Sequence, residues 1–344
     1  MSAVRRTAAL AACLWVAAGC TRPLEIRHFG GPTMGSSYEV KYVADRERAD
    51  VQKAVADELL AFDAAFSNWR EDSEIARLNR HAGTAPFAVT ERFADVLRQA
   101  LVVAQATDGA FDPTVKPLLD LYRHAKQHPD AGLDETAMAA ARHHVGHWLV
   151  SVRDLGDGTW VVVKHAPEVR LDLDGIVAGA AADAIAARLQ RLGVGSFYLQ
   201  ITGEVLCHGV KPDGEPWRIG VVDPSSDAAG GESPVRTLAL RDRALCSSGD
   251  YRNAVVVDGA VVHHVFDPRT GRNPGHRIVS ASVLATSCAV ADALATASMV
   301  LGDDGVKRLW PRFAALGAEA ALLLKPGTDE AWQQVEIAWP DEDS

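Results

Sequence analysis

Residues 169–174 alternate apolar and polar, VRLDLD, and then run through two glycines into an alanine-rich stretch, GIVAGAAADAIAARLQRL. The alternation predicts a strand, the glycines a turn, and the alanines a helix starting near Ala180. Such a strand–turn–helix exposes unpaired backbone N–H groups at the helix start. The segment therefore reads either as an anion site or as an ordinary connection whose glycines satisfy the turn. It lacks the third glycine of the dinucleotide fingerprint.

The same reading extends along the chain. Helical spacing of Leu59, Leu60, Ala64 and Phe66 predicts a helix over residues 49–66, and Asp72 or Ser73 caps a short one ending near Asn79. Thr90 opens an amphipathic helix to residue 107. Strand patterns cover residues 25–43, with a break at GGPTMGSS, and a hairpin folds around GDG between residues 148 and 164. SFYLQ is a central strand leading into a T-G-E turn, and residues 212–223 form another strand. ALCSSGDY reads as a turn, residues 254–262 as a hairpin through Asp258-Gly259, and residues 278–284 as a strand before a small-residue helix. A further helix and two strands, AALLLKPG and VEIAWP, close the chain. Many short strands interrupted by helices predict an α+β protein with two closely packed β-rich lobes and flanking helices around a cleft.

Composition narrows the class. A chain of 344 residues buries a substantial core, and a net charge of −10 argues against nucleic acid as partner. Residues 1–19 carry Arg5 and Arg6, then an apolar run too short to span a bilayer, then Ala17-Ala18-Gly19 before Cys20. This is the pattern of a lipoprotein export signal, with Cys20 as the lipidated first residue of the mature chain. Residues 20–28 are then a tether, residues 29–338 one domain, and residues 339–344 a tail. Cys207, Cys246 and Cys288 show no paired spacing and read as small buried apolar residues.

Candidate chemistry is scattered. Met34 sits on a glycine-rich turn, where it covers a planar ligand or fills a gap. Trp69 precedes a helix cap and either stacks on a ring system or enters the core. Ala110, Phe111 and Asp112 lie on a turn where Asp112 is held extended by Pro113, and His264 ends a strand beside a turn, placed for a phosphate or a proton. Asp292 and Thr296, four apart on an alanine-rich helix, share a face and offer oxygen ligands to a hard cation; alone, such a pair is common. The histidines at 124, 128, 143, 144 and 147 lack a coherent ligand spacing and read as surface or satisfied groups.

Taken in order, MGSSY, SNWREDSEIARLN, GAFDPTV, LDLDGIVAGAAAD, SSGDY, HHVFDPRTG and ATSCAVADALATA closely resemble the ApbE-type flavin transferases, which move FMN from FAD onto a protein threonine or serine. The resemblance implies FAD as substrate, held in the cleft with Met34 and Trp69 beside the ring system. It places Ala110, Phe111, Asp112 and Asp172 near the nucleotide portion, and His264 near the reacting diphosphate. It implies Mg2+ held by the main-chain carbonyl of Gly175 with the side chains of Asp292 and Thr296. Asp292 is the first candidate to orient or deprotonate the acceptor hydroxyl, and His264 the second. The implied partner is an acceptor flavoprotein with a D-x-x-S/T-G-A-T motif, met on the periplasmic side of a bacterial membrane to which Cys20 tethers the enzyme. Water in place of the acceptor, giving FAD hydrolysis, and flavin binding without catalysis are the alternatives.

Two positions depart from the family pattern. Ala178 stands where Lys or Glu is usual, a loss of about 1–3 kcal/mol in nucleotide binding if nothing replaces the contact. Arg252, Arg269 and Lys116 are the cations available to replace it. Thr202 stands where glycine is usual before Gly203-Glu204.

Overall fold

The computed structural model describes residues 23–128, 132–225, 234–249, 255–257, 260–262, 265–327 and 332–340. Its centre is an antiparallel eight-stranded sheet ordered β1-β2-β6-β7-β10-β13-β14-β15. These strands are β1 (Glu25–Thr33), β2 (Ser36–Ala44), β6 (Phe197–Ile201), β7 (Glu204–His208), β10 (Arg243–Gly249), β13 (Ser280–Ala285), β14 (Ala318–Pro326) and β15 (Trp332–Ile337).

Both faces of this sheet are covered, which is why its middle strands are apolar almost without break. On β13 and β14 the alternation sends Ala281, Val283, Ala321 and Leu323 into the main core. Leu284, Ala320, Leu322 and Leu324 point instead to a second apolar cluster. The first face packs against α6 (Asp174–Arg191) and α7 (Cys288–Ala315). The second cluster is completed by the ribbon β8 (Trp217–Val222) and β9 (Pro234–Leu240), through Trp217, Ile219, Val221, Leu238 and Leu240.

The remaining helices are α1 (Ala49–Phe66), α2 (Glu74–Arg80), α3 (Glu91–Ala106), α4 (Lys116–Gln127) and α5 (Glu135–Arg142). A small sheet orders β3 (Phe87–Val89), β5 (Trp160–Lys164) and β4 (Val150–Asp154), and β11 (Val255–Val257) pairs with β12 (Ala260–Val262). The caps follow the sequence: Ser73 accepts from the Ala76 amide and Thr90 from the Phe93 amide. The architecture is mixed α+β, as the strand and helix patterns predict.

Two local expectations are corrected. Residues 169–173 form no ladder, and the helix begins at Asp174 rather than near Ala180. Asn79 of α2 supplies what a neighbouring strand would have given: its side chain donates to the Leu171 carbonyl at 2.8 Å and accepts from the Leu171 amide at 2.7 Å. Val169, Leu171 and Leu173 are all interior, and Asp172 between them is buried as well, so the apolar–polar alternation here does not mark two faces of a strand. ALCSSG, in turn, is no turn but β10, flanked by β7 and β13.

Candidate functional site

Helices α6 and α7 cross unusually closely. A Cβ on Gly179 would lie 2.4 Å from the Cys288 carbonyl oxygen, so glycine is what lets the two backbones touch. Asp183, one turn further along α6, ties the crossing down: its carboxylate accepts from the Ser287 hydroxyl at 2.7 Å and from the Cys288 and Ala289 amides at 2.9 and 3.0 Å. The N-terminus of α7 is thereby capped by a charge from its neighbour.

One turn along α7 lies Asp292, 5% exposed. Its Oδ2 accepts the Gly179 amide at 3.1 Å. In a regular helix that amide would bond the Gly175 carbonyl, but Gly175 departs from helical geometry at φ −83° and ψ 19°. No cationic side chain pairs with Asp292 among the described residues, and burial pushes its carboxyl up to about 7 against the pull of the Gly179 amide. Glu204, half-buried at the start of β7, is pushed upward by burial and by Asp292 nearby.

The next turn of α7 brings Thr296, whose Oγ1 would be 3.0 Å from a Cβ on Gly175 and is 3.1 Å from the Ser248 hydroxyl of β10. Gly175, remote in sequence from α7, therefore meets Thr296, while Asp292 one turn earlier holds the Gly179 amide of the same α6 start, with Ser248 added from the sheet. The donors are all oxygen and include a buried carboxylate that has no counter-charge among the described residues. This chemistry suits a hard divalent cation such as Mg2+.

Phe111, on the loop joining α3 to α4, is buried and lies 3.4 Å from the same Gly175 Cβ position. Asp112 is buried too, but its carboxylate is engaged within the protein: Oδ1 accepts from the Thr114 amide at 2.8 Å and from the Thr114 hydroxyl, and Oδ2 from the His147 amide at 2.7 Å. It stiffens the 110–112 loop. Asp172 caps the start of α6 through the Asp174 amide at 3.1 Å and is met by Arg123 at 3.3 Å and Asn68 at 3.4 Å. Asn68 also donates to Asp174 at 2.8 Å.

Trp69, beside Asn68, is 90% exposed, which excludes it from the core. Met34 occupies the β1–β2 hairpin tip at φ 47°, followed by Gly35 at φ 74°. Thr202 sits at the tip of the β6–β7 hairpin at φ 55°, a conformation that costs a β-branched side chain and that glycine would adopt freely. Its amide bonds the Ser37 carbonyl at 2.9 Å, so both tips lie together at one end of the sheet. Ala178 is buried in the first turns of α6. Of the cations offered to replace a charge there, Lys116 is held by Asp120 and Arg269 by Asp267. Arg252 lies outside the described residues, as do His264 and Cys20.

Sequence reading missed Ser248, Glu204, Asn68 and Arg123 as members of the site. Asn68 had a signal in its adjacency to Trp69, and Ser248 in its place within the SSGDY motif. Arg123 had none.

The fold and the centre together define a mixed α+β protein with a cation-suited oxygen cluster between two crossed helices and one end of an antiparallel sheet. A family model described as the ApbE family matches residues 34–319. An FAD:protein FMN transferase of Vibrio cholerae is 36% identical over 299 residues, 85% of this chain and 86% of that protein. One of Salmonella typhimurium is 32% identical over 301 residues, 86% and 84% of the two chains. Among solved structures, the flavin transferase ApbE from Vibrio cholerae superposes with a TM-score of 0.76 at 30% identity, covering 91% of this chain and 97% of that one. The apo flavinyl transferase ApbE of Pseudomonas stutzeri gives 0.77 at 30% identity over 91% and 95%. The chain belongs to the ApbE family.

Proposed function

We propose that this chain transfers the FMN half of FAD onto a threonine or serine hydroxyl of an acceptor flavoprotein. The acceptor oxygen bonds to the phosphorus attached to FMN, the bridging P–O bond breaks, the hydroxyl proton leaves to a base, and AMP departs. The observation that carries this reading is Asp292, a buried carboxylate that accepts the Gly179 amide with no counter-cation among the described residues, one turn from the Thr296 hydroxyl that lies against Gly175.

In this reading the Gly175 carbonyl, Asp292 and Thr296 hold Mg2+. Bound there, the cation neutralises diphosphate charge and polarises the phosphorus. Asp292 orients or deprotonates the acceptor hydroxyl, and His264 is the second group proposed for that proton. Trp69 and Met34 offer faces to the ring system; Ala110, Phe111, Asp112 and Asp172 shape the nucleotide end. Exposure of Trp69 supports its part, and the internal bonding of Asp112 supports a role in holding the loop. The acceptor carries a D-x-x-S/T-G-A-T motif.

The signal pattern and Cys20 support lipid anchoring on the periplasmic side of a bacterial membrane; Cys20→Ser should release the protein from membranes. Among the described residues no helix is long and apolar enough to cross one.

Release of AMP from FAD and Mg2+, followed with and without an acceptor domain, tests the reaction. AMP appearing only with the acceptor supports transfer. AMP without it indicates hydrolysis, and none in either case indicates flavin binding alone.

A further inference from the structure

A threonine hydroxyl inside a helix ordinarily turns back to the carbonyl four residues earlier. Helix α7 shows the habit two residues past Thr296, where the Ser298 hydroxyl donates to the Leu294 carbonyl at 2.7 Å. Thr296 is instead paired across the helix–sheet interface with the Ser248 hydroxyl, at 3.1 Å.

Strand alternation fixes where Ser248 comes from. Cys246, two residues earlier on β10, faces α7, with its thiol 3.4 Å from the Cys288 carbonyl. Ser248 shares that face, while Ser247 points to the opposite one and pairs with Ser282 at 2.7 Å. Ala281, the partner of Ser248 on β13, is fully buried and small, which leaves the serine room to reach the helix.

A hydroxyl has one hydrogen and two lone pairs. A threonine that gives a lone pair to a cation must send its hydrogen elsewhere, and the neighbour that accepts it sets the direction of the lone pair. We propose that Ser248 is a positioning residue of the cation centre: by accepting the Thr296 hydrogen bond it turns that hydroxyl's lone pairs toward Gly175 and Asp292. The inference rests on the reading of Thr296 as a cation ligand given above, and it assigns Ser248 no contact with the reacting groups.

Calorimetric titration of the full-length protein with Mg2+ alone tests it, in wild type, Ser247→Ala, Ser248→Ala, Ser248→Thr, Thr296→Val and the double variant Ser248→Ala/Thr296→Val. Ser248→Ala should weaken Mg2+ binding about ten-fold, the scale of lost outer-shell partners. Ser248→Thr, which keeps a hydroxyl, should bind like wild type, as should Ser247→Ala. In the Thr296→Val background, Ser248→Ala should add no further loss, because Ser248 acts through Thr296. Unchanged affinity in Ser248→Ala beside a weakened Thr296→Val overturns the inference alone. So does a Ser248→Ala loss that persists in full without the Thr296 hydroxyl. Wild-type affinity in Thr296→Val overturns both the ligand reading and the inference.

Discussion

The Asp292 carboxylate of α7 accepts the backbone amide of Gly179 on α6 at 3.1 Å. This one bond joins the two features that define the centre: a helix bent at Gly175 and a buried carboxylate with no cationic side chain beside it among the described residues. Asp292→Asn keeps an acceptor for the Gly179 amide and removes the charge. Cation-dependent AMP release should fall about a thousand-fold, the several kcal/mol that a bound cation supplies to a developing charge. The melting temperature without cation should hold or rise, since a buried charge is gone. Wild-type turnover in this variant would remove Asp292 from the mechanism.

A pH dependence follows from the same residue. The Asp292 carboxyl is pushed up to about 7, whereas in the unfolded chain it titrates near 4. Between those values the cation-free folded protein holds a proton that the unfolded chain releases. The contribution of Asp292 to cation-free stability is therefore full below about pH 4 and is lost as pH rises through about 7. In the proposed reading Mg2+ would bind the ionised form and reverse this loss. Its stabilising shift in melting temperature should be small near about pH 5.5 and full near about pH 8.5. Equal shifts at both values would mean that a different group holds the cation.

The crossing of α6 and α7 makes its own prediction. Gly179→Ala drives a Cβ into the main chain of Cys288 and Ala289, which cannot turn aside as a side chain would. It should cost about 1–3 kcal/mol in denaturant unfolding. Gly195→Ala, where a Cβ meets nothing within 4 Å, should change stability by less than about 0.5 kcal/mol.

Trp69 separates binding from folding. Because its side chain is exposed, Trp69→Ala should leave stability within about 0.5 kcal/mol of wild type. Loss of a stacking face should weaken FAD binding by about three- to ten-fold, and Trp69→Tyr should retain most of it. Fluorescence titration of FAD checks both variants.

What was legible in the sequence was local. Helix α1 spans the residues expected, but its buried face runs through Val55, Leu59, Phe62 and Phe66 and leaves Leu60 and Ala64 exposed, whereas the caps at Ser73 and Thr90 follow from side-chain acceptors placed before apolar runs. What was not legible depended on remote partners. The strand-like run at 169–173 pairs with no strand: the Leu171 backbone is met by Asn79, 92 positions away, and the Asp172 amide by the Pro113 carbonyl. Ser247 and Ser248 resemble turn residues, yet they lie within a strand, each bonded to a hydroxyl from another element. The Asp292–Thr296 pairing was visible as a shared helix face. The bend at Gly175 that brings its backbone to Thr296 was not, since it arises only where α6 meets α7.

The most direct test of the proposed reaction is the intact mass of a purified acceptor domain after incubation with this protein, FAD and Mg2+. A gain of one FMN group, absent when the acceptor threonine is replaced by valine or when Mg2+ is chelated, is the expected result. An acceptor of unchanged mass while FAD is consumed would contradict transfer.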